Sequence, residues 1–175
     1  DYAPTYYARR AHGGVGLIIT EGVEVSHHAA SGYPNCPNLE SDNAKRMWEK
    51  VVNEVHKNNS SIFCQLWHVG GIRKPGMPPN PEVPGFTPSG YVRPGKKVAH
   101  EMSHEEIQEL INIYSEDTKA CEELGFDGVE IHGAHGYLID QFFWDQLNHR
   151  DDEYGGTFEN RSRFASEILQ AAKLN

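Results

Sequence analysis

Residues 132–137 of this chain bring together side chains that can hold an oxygen atom and move a proton. His132, His135 and Tyr137 fall within six residues and are separated only by glycine and alanine. Two imidazoles and a phenol can all donate hydrogen bonds near neutral pH, so they suit a pocket that binds an electron-rich oxygen and then supplies a proton. This chemistry is typical of a reductase, although these residues alone leave hydrolysis open.

The segment before this cluster predicts a buried strand, FDGVEIH, over residues 126–132. Side chains alternate between the two faces of a strand, so Glu130 and His132 are expected on one face. The small residues that follow allow the backbone to turn tightly and to approach a ligand. A lone histidine at a strand end is more often structural, but three donors beside glycines favour a site.

Two further apolar runs predict strands that alternate with helices. The runs are VGLIIT, residues 15–20, and SIFCQLWH, residues 61–68, in which Phe63, Gln65 and Trp67 share one face. Near-continuous apolar strands separated by helices indicate a parallel sheet covered by helices. Helices are predicted over residues 2–12, 41–57 and 161–173, and Ser41 or Asp42 would cap the second of them. A further helix is predicted from a capping box formed by Ser103 and Glu106 to Gly125.

Polar residues lie at the carboxyl end of each predicted strand, as expected for a barrel whose site is built from loops at that face. No G-x-G-x-x-G motif joins a strand to a helix, which disfavours the dinucleotide-binding sheet. The predicted fold class is therefore α/β, a partial (β/α)8 TIM barrel formed by residues 1–175 as one incomplete domain. Three strands leave two open edges, which would favour homo-oligomers.

Residues 70–100 contain seven of the ten prolines and predict one long surface excursion, a lid or rim over a site. Gln65 could hold a planar polar ring through its paired donor and acceptor, or it could be a buried amide satisfied by main chain. The charged run over residues 148–163 is interpreted as structural scaffolding.

Composition narrows the class of function. The net charge is −9, the sequence pI is about 5.5 and no basic run is present, so nucleic acid is not expected as a partner, whereas a small molecule is. Three widely spaced cysteines predict neither disulfides nor a metal-ligand set, and they favour a reducing, cytoplasmic setting. Neither a membrane span nor a signal peptide is predicted.

Several stretches resemble the old yellow enzyme family of FMN-dependent ene-reductases, which includes bacterial NADH:flavin oxidoreductases. They are LIITEG (residues 17–22), QLWHVG (65–70), the helix start at Ser103, and HGAHGYLIDQF (132–142) followed by NHRDDEYGGTFENRSRF (148–164). The resemblance implies an eight-stranded barrel with FMN at its carboxyl face, and it implies that the three strands are the second, third and fourth.

The same resemblance implies a role for each matching residue. His132 and His135 would bind the carbonyl or nitro oxygen of the substrate, and Tyr137 would donate the proton. Gln65, His132 and backbone near Gly22 would contact FMN. Trp67 and Tyr33 would shape the substrate pocket. The implied reaction reduces activated C=C bonds of α,β-unsaturated carbonyl or nitro compounds, with NADPH or NADH as reductant.

Other functions stay open at this level. An iron-sulfur relative, such as a dienoyl-CoA reductase or an amine dehydrogenase, would share the fold. A metal-dependent hydrolase would need His132, His135 and Glu130, but no third ligand of regular spacing is evident and no metal is predicted. A truncated, non-catalytic barrel is the fourth alternative. Relatives commonly carry arginine at the position of Gly71, whereas here the arginine comes later, at Arg73.

Overall fold

The computed structural model describes residues 2–173, and in that range a single parallel sheet forms the centre of the fold. Its strand order is β1-β2-β7, with both pairings parallel. In chain order the elements are α1 (Tyr2–His12), β1 (Leu17–Glu24), α2 (Asp42–His56), β2 (Ser61–Trp67), β3 (Phe86–Thr87), β4 (Tyr91–Arg93), β5 (Lys96–Lys97), β6 (His100–Glu101), α3 (His104–Glu123), β7 (Gly128–Ile131), α4 (Leu138–Phe143) and α5 (Phe158–Lys173).

The helices begin where capping residues satisfy their first backbone donors. Ser41 accepts a hydrogen bond from the Ala44 N–H at the start of α2. At α3 the capping box predicted from Ser103 and Glu106 is present in both directions, which confirms the sequence interpretation. The helix α5 begins at Phe158, three residues before the predicted start. The alternation of helices and parallel strands is therefore confirmed.

The two faces of β2 differ as alternation predicts. Ile62, Cys64 and Leu66 are completely buried in the core, whereas Phe63 and Gln65 on the other face are only partly buried. The core between the sheet and the helices also takes one apolar face from each long helix, as at Val55 of α2. The sheet thus has one face sealed by helices and a second face open to a site.

The strand β1 extends beyond its predicted end. The apolar run stops at Thr20, but pairing with β2 continues to Glu24 after an irregularity between Ile19 and Gly22. Within that irregularity the Thr20 hydroxyl accepts a hydrogen bond from the Gln65 N–H at 2.9 Å. The polar residues after the apolar run do not end the strand, because a strand is held by backbone hydrogen bonds to its neighbour and not by the hydropathy of its side chains.

Residues 70–100 differ from the predicted surface excursion. Although this segment is long and rich in proline, its part from Gly85 to Gly90 is buried, and β3 pairs with β6 in parallel. A second small ladder joins β4 to β5. The surface interpretation was therefore wrong for this part of the segment, since strands of two or three residues are too short to produce a periodic signal.

Arg73 holds the proline-rich segment against the loop that follows β1. The side chain is 2% exposed, and its guanidinium donates hydrogen bonds to the carbonyls of Met77 at 3.0 Å, Asn80 at 2.6 Å and Val83 at 3.1 Å. It also donates to the Ser31 carbonyl. Five fixed N–H donors let one arginine bind four backbone acceptors at once, of which the Ser31 carbonyl is in a buried contact.

The charged run over residues 148–163 is scaffolding, as predicted. Arg150 donates to the carbonyls of Pro88 at 2.7 Å and Met102 at 2.5 Å, and it also pairs with Asp152. Asn148 donates to two further carbonyls, including that of Tyr154 at 2.7 Å. These bonds tie the segment before α5 to the segment before α3. No helix within residues 2–173 has the length and apolarity needed to cross a bilayer.

We expect Arg73→Ala to lower the free energy of unfolding by about 3 kcal/mol, because four backbone carbonyls would lose the donor that a buried side chain supplies. Chemical denaturation followed by circular dichroism measures this change. Arg46→Ala, which removes an exposed arginine on α2, is the matched control and should change stability by less than about 0.5 kcal/mol. Equal effects of the two substitutions would contradict the role assigned to Arg73.

Candidate active site

The site begins with a row of three residues that the strand register places side by side. Gln65 of β2 pairs with Gly22 of β1 on one side and with Glu130 of β7 on the other. The Gln65 Nε2 donates a hydrogen bond of 2.6 Å to the Glu130 Oε1. Both side chains therefore lie on the open face of the sheet, as alternation predicts.

His132 follows directly after β7, where its N–H donates to the Leu66 carbonyl at 3.0 Å. Its Nδ1 lies 3.3 Å from the Ala134 N–H, which requires that nitrogen to accept. The proton of the neutral ring therefore resides on Nε2, which is left as a donor. Burial and the nearby His135 lower the pKa of His132, so the ring is neutral at neutral pH.

The turn from His132 to Tyr137 is held by the short helix α4. Asp140 accepts a hydrogen bond from the Gly136 N–H at 2.7 Å, and Gln141 donates to the Gly136 carbonyl at 2.6 Å. Gln141 also accepts from the Gly71 N–H at 3.0 Å. His135 has a backbone φ of 60°, in the left-handed region. One side of the turn is therefore attached to the segment that follows β2.

Five rings cluster at the carboxyl end of the sheet. Tyr33 stacks on Trp67, with ring centroids 5.8 Å apart and 16° between the planes. Tyr137 packs against Trp67 edge to face, with ring centroids 5.0 Å apart. The ring of His132 is 5.1 Å from that of Tyr137 and 5.2 Å from that of His135. Two imidazoles and a phenol thus lie together in one aromatic cluster, which forms the candidate pocket.

The two phenols touch across this pocket, because the Tyr33 and Tyr137 hydroxyls are 3.3 Å apart. Burial, together with this contact, raises the pKa of Tyr137 to about 12. A phenol with such a pKa stays protonated throughout the physiological range and can act as a proton donor. Tyr33 is 42% exposed, so its outer side faces solvent.

The structure places all the predicted site residues at one edge of the sheet. Tyr33, Trp67, His132, His135 and Tyr137 form the aromatic and imidazole cluster. Gln65 lies two residues before Trp67 on the same strand. At Gly22 an added Cβ would lie 2.7 Å from the Trp67 ring, so close packing of the indole by itself requires glycine there.

Comparison with known proteins agrees with this geometry. The profile described as "NADH:flavin oxidoreductase / NADH oxidase family" matches residues 1–175. The chain belongs to this family. The flavin oxidoreductase hxnT of Emericella nidulans is 44% identical over 178 residues, which cover 98% of this chain and 45% of that protein. The 12-oxophytodienoate reductase 2 of Arabidopsis thaliana is 38% identical over 180 residues, which cover 97% of this chain and 48% of the relative.

Solved structures of the same family share the fold. Morphinone reductase superposes with a TM-score of 0.90 at 30% identity, covering 98% of this chain and 49% of that structure. The old yellow enzyme homologue from Zymomonas mobilis gives a TM-score of 0.89 at 36% identity, covering 99% and 50%. This flavin oxidoreductase family chain therefore spans about half the length of the relatives that it matches. Its fold is consistent with part of a barrel.

Several residues that organise the site of this family member escaped sequence interpretation. Asp140 and Gln141 belong to a helix of six residues without a side-chain cap, so no periodic signal or capping residue marked it. His27 and His68 were not singled out, because two isolated histidines far apart in the chain carry no pattern. Only their pairing in space gives them a role.

His27 and His68 form a buried pair behind the pocket, with 2.9 Å between the His27 Nδ1 and the His68 Nε2. The Gly70 N–H donates to the His68 Nδ1 at 3.0 Å, so the proton of His68 must lie on Nε2 and be donated to His27. Protonation of the His27 Nδ1 or of the His68 Nδ1 would place two N–H donors opposite each other. Burial lowers the pKa of His27 to about 4 and lowers the pKa of His68 well below its usual value.

This pair predicts a loss of stability in acid. Unfolded histidine titrates near pH 6.5, so between pH 6.5 and about 4 the unfolded chain binds protons that folded His27 does not. The free energy of unfolding should therefore fall as the pH drops through this window. We expect His27→Gln, which keeps an acceptor without titrating, to make that fall smaller by about 3 kcal/mol at most.

Urea denaturation at a series of pH values measures this dependence. His12→Gln, at an exposed position on α1, is the matched control and should keep the wild-type pH profile. A His27→Gln protein whose stability falls as steeply as that of the wild type would refute the buried neutral pair.

Proposed function

We propose that this chain forms part of an FMN-dependent oxidoreductase that reduces activated C=C bonds of α,β-unsaturated carbonyl or nitro compounds with NADPH or NADH. The observation that carries the proposal is the grouping of the His132 and His135 imidazoles with the protonated Tyr137 phenol in one aromatic cluster at the carboxyl end of the sheet. Family membership and the reductases among the similar proteins support it. The three sheet strands would be the second, third and fourth of an eight-stranded barrel.

The residues of the open sheet face fit a flat ring with polar edges. Within residues 2–173, no hydrogen bond reaches the Gln65 Oε1, and its Nε2 keeps a second proton beyond the one given to Glu130. This amide would therefore offer an acceptor beside a donor to FMN. Backbone near Gly22, in the same row, and the ring of His132 would complete the contacts of this half of the site.

Each side chain would then have one task in the reduction. Bound FMN would supply hydride to the β-carbon of the alkene. The Nε2–H of His132 and the imidazole of His135 would donate hydrogen bonds to the carbonyl or nitro oxygen, where negative charge develops. Tyr137 would donate its hydroxyl proton to the α-carbon. Trp67 and Tyr33 would restrict which alkenes reach that position.

The similar proteins favour this function over the alternatives that the residues left open. Those with reductase names include 12-oxophytodienoate reductases and morphinone reductase. For the hydrolase alternative, the Glu130 carboxylate already accepts a hydrogen bond from Gln65. Within residues 2–173, moreover, no three candidate ligand side chains are grouped to hold a metal ion. Self-association through the open sheet edges and a cytoplasmic location stay predictions.

Replacing Tyr137 by phenylalanine should separate the two half-reactions. In the longest natural form of the protein that contains these residues, we expect alkene reduction to slow by about a hundredfold, the usual contribution of a positioned general acid. Flavin reduction by NADPH or NADH needs no proton from this phenol and should change little. Stopped-flow absorbance at the flavin band measures both steps.

Tyr2→Phe, on the exposed surface of α1, is the control for loss of a phenol and should leave both steps at the wild-type rate. If Tyr137→Phe slowed both half-reactions equally, the phenol would have a structural role and the proton-donor assignment would fail.

The isolated chain of 175 residues should bind FMN weakly or not at all. The family resemblance places the phosphate-binding loops and an arginine that contacts the flavin beyond the strands found here, and barrels commonly bind phosphate after strands seven and eight. Titration of FMN fluorescence with the isolated chain measures the affinity. Tight stoichiometric binding would show that these residues alone form the flavin site.

A further inference from the structure

We infer that Glu130 is a positioning residue whose carboxylate fixes the orientation of the Gln65 amide toward the flavin ring. The inference rests on the proposed function and adds a residue for which neither the family resemblance nor the comparisons supply a role. Its basis is the hydrogen bond of 2.6 Å from the Gln65 Nε2 to the Glu130 Oε1, between neighbouring residues of β2 and β7.

The carboxylate leaves the amide only one orientation. An ionised carboxylate can accept hydrogen bonds but cannot donate them. If the amide of Gln65 were rotated by half a turn, two acceptor oxygens would face each other at this short distance. The nitrogen must therefore point to Glu130, and the oxygen must point away from it.

The backbone of Gln65 is held equally firmly. Its N–H donates to the Thr20 hydroxyl at 2.9 Å, and that hydroxyl in turn donates to the Glu21 carbonyl at 2.7 Å. These bonds lie at the irregularity of β1, where the regular pairing of the two strands is interrupted. Hydrogen bonds within the sheet thus hold both the backbone of Gln65 and its side-chain amide.

Because the Gln65 amide cannot rotate, it presents its acceptor and its donor to a ligand in a fixed order. The Oε1, which no hydrogen bond from residues 2–173 reaches, can accept, and the second proton on Nε2 can donate, so the pair matches a ring edge that carries an N–H beside a carbonyl. The pyrimidine end of a flavin has such an edge. An amide that could rotate would present the wrong order of donor and acceptor for part of the time, which would weaken binding.

The test compares FMN affinity across a set of variants of the longest natural form that contains these residues. We expect Glu130→Ala to weaken FMN binding about tenfold, the cost of about one lost hydrogen bond. Glu130→Gln can either accept from or donate to the Gln65 amide, so it no longer selects one orientation and should weaken FMN binding by about two- to threefold. Glu109→Ala, an exposed carboxylate on α3, is the matched control and should bind as wild type.

A double-mutant cycle distinguishes positioning from direct binding. If Glu130 acts through Gln65, Gln65→Ala and the double variant Gln65→Ala/Glu130→Ala should lose FMN affinity equally. Additive losses, or a Glu130→Ala protein that binds FMN as wild type, would overturn the inference while leaving the proposed function intact. A wild-type protein that takes up no FMN would overturn the proposed function, and the inference with it.

A measurement on the unmodified protein protects the test if Glu130→Ala does not fold. In the wild type, nuclear magnetic resonance of the Gln65 side-chain amide should show one Nε2 proton shifted downfield and slow to exchange. In Glu130→Gln this shift should become smaller. Two Nε2 protons in the wild type with the chemical shifts and the fast exchange of a solvent-exposed glutamine amide would overturn the inference.

Discussion

Parallel pairing of β1, β2 and β7 is the constraint on which the rest of this structure depends. Parallel strands end at the same edge of a sheet, so the segments that follow them meet there. The register also decides which side chains face the helices. A slip of one residue in β2 would place Gln65 and Trp67 in the core and would expose Ile62, Cys64 and Leu66. Burial of these three side chains therefore stabilises the same register that assembles the site.

Hydrogen bonds from polar side chains to backbone then fix the segments beyond the strands. Arg73 gathers carbonyls of the proline-rich segment, and Gln141 joins the turn at Gly136 to Gly71. The neutral His27–His68 pair connects the segments that follow β1 and β2. These contacts replace the regular backbone bonding that proline and glycine prevent. They preorganise the candidate site, because the side chains that would face a ligand lie on segments whose backbone is already held by hydrogen bonds.

Much of the fold could be predicted because its signals are local. The capping box at Ser103 and the alternation in β2 depend on residues a few positions apart, and the structure has both. The interpretation failed where local signals were weak. Helix α4 has only six residues, and the buried part of residues 70–100 contains strands of two or three residues. In each case the elements exist because distant parts of the chain cover them.

The order of strands and helices, the inward and outward faces of β2, and the concentration of donors from His132 to Tyr137 are all encoded locally in the sequence. These follow from periodicity, capping and spacing along a short stretch of chain. Tertiary structure alone decided the partners. Tyr33 and Tyr137 lie 104 residues apart in sequence, and Gln65 and Glu130 lie 65 apart. Such hydrogen bonds require two side chains to meet within about 3 Å, and only packing of the whole sheet and its loops sets that distance.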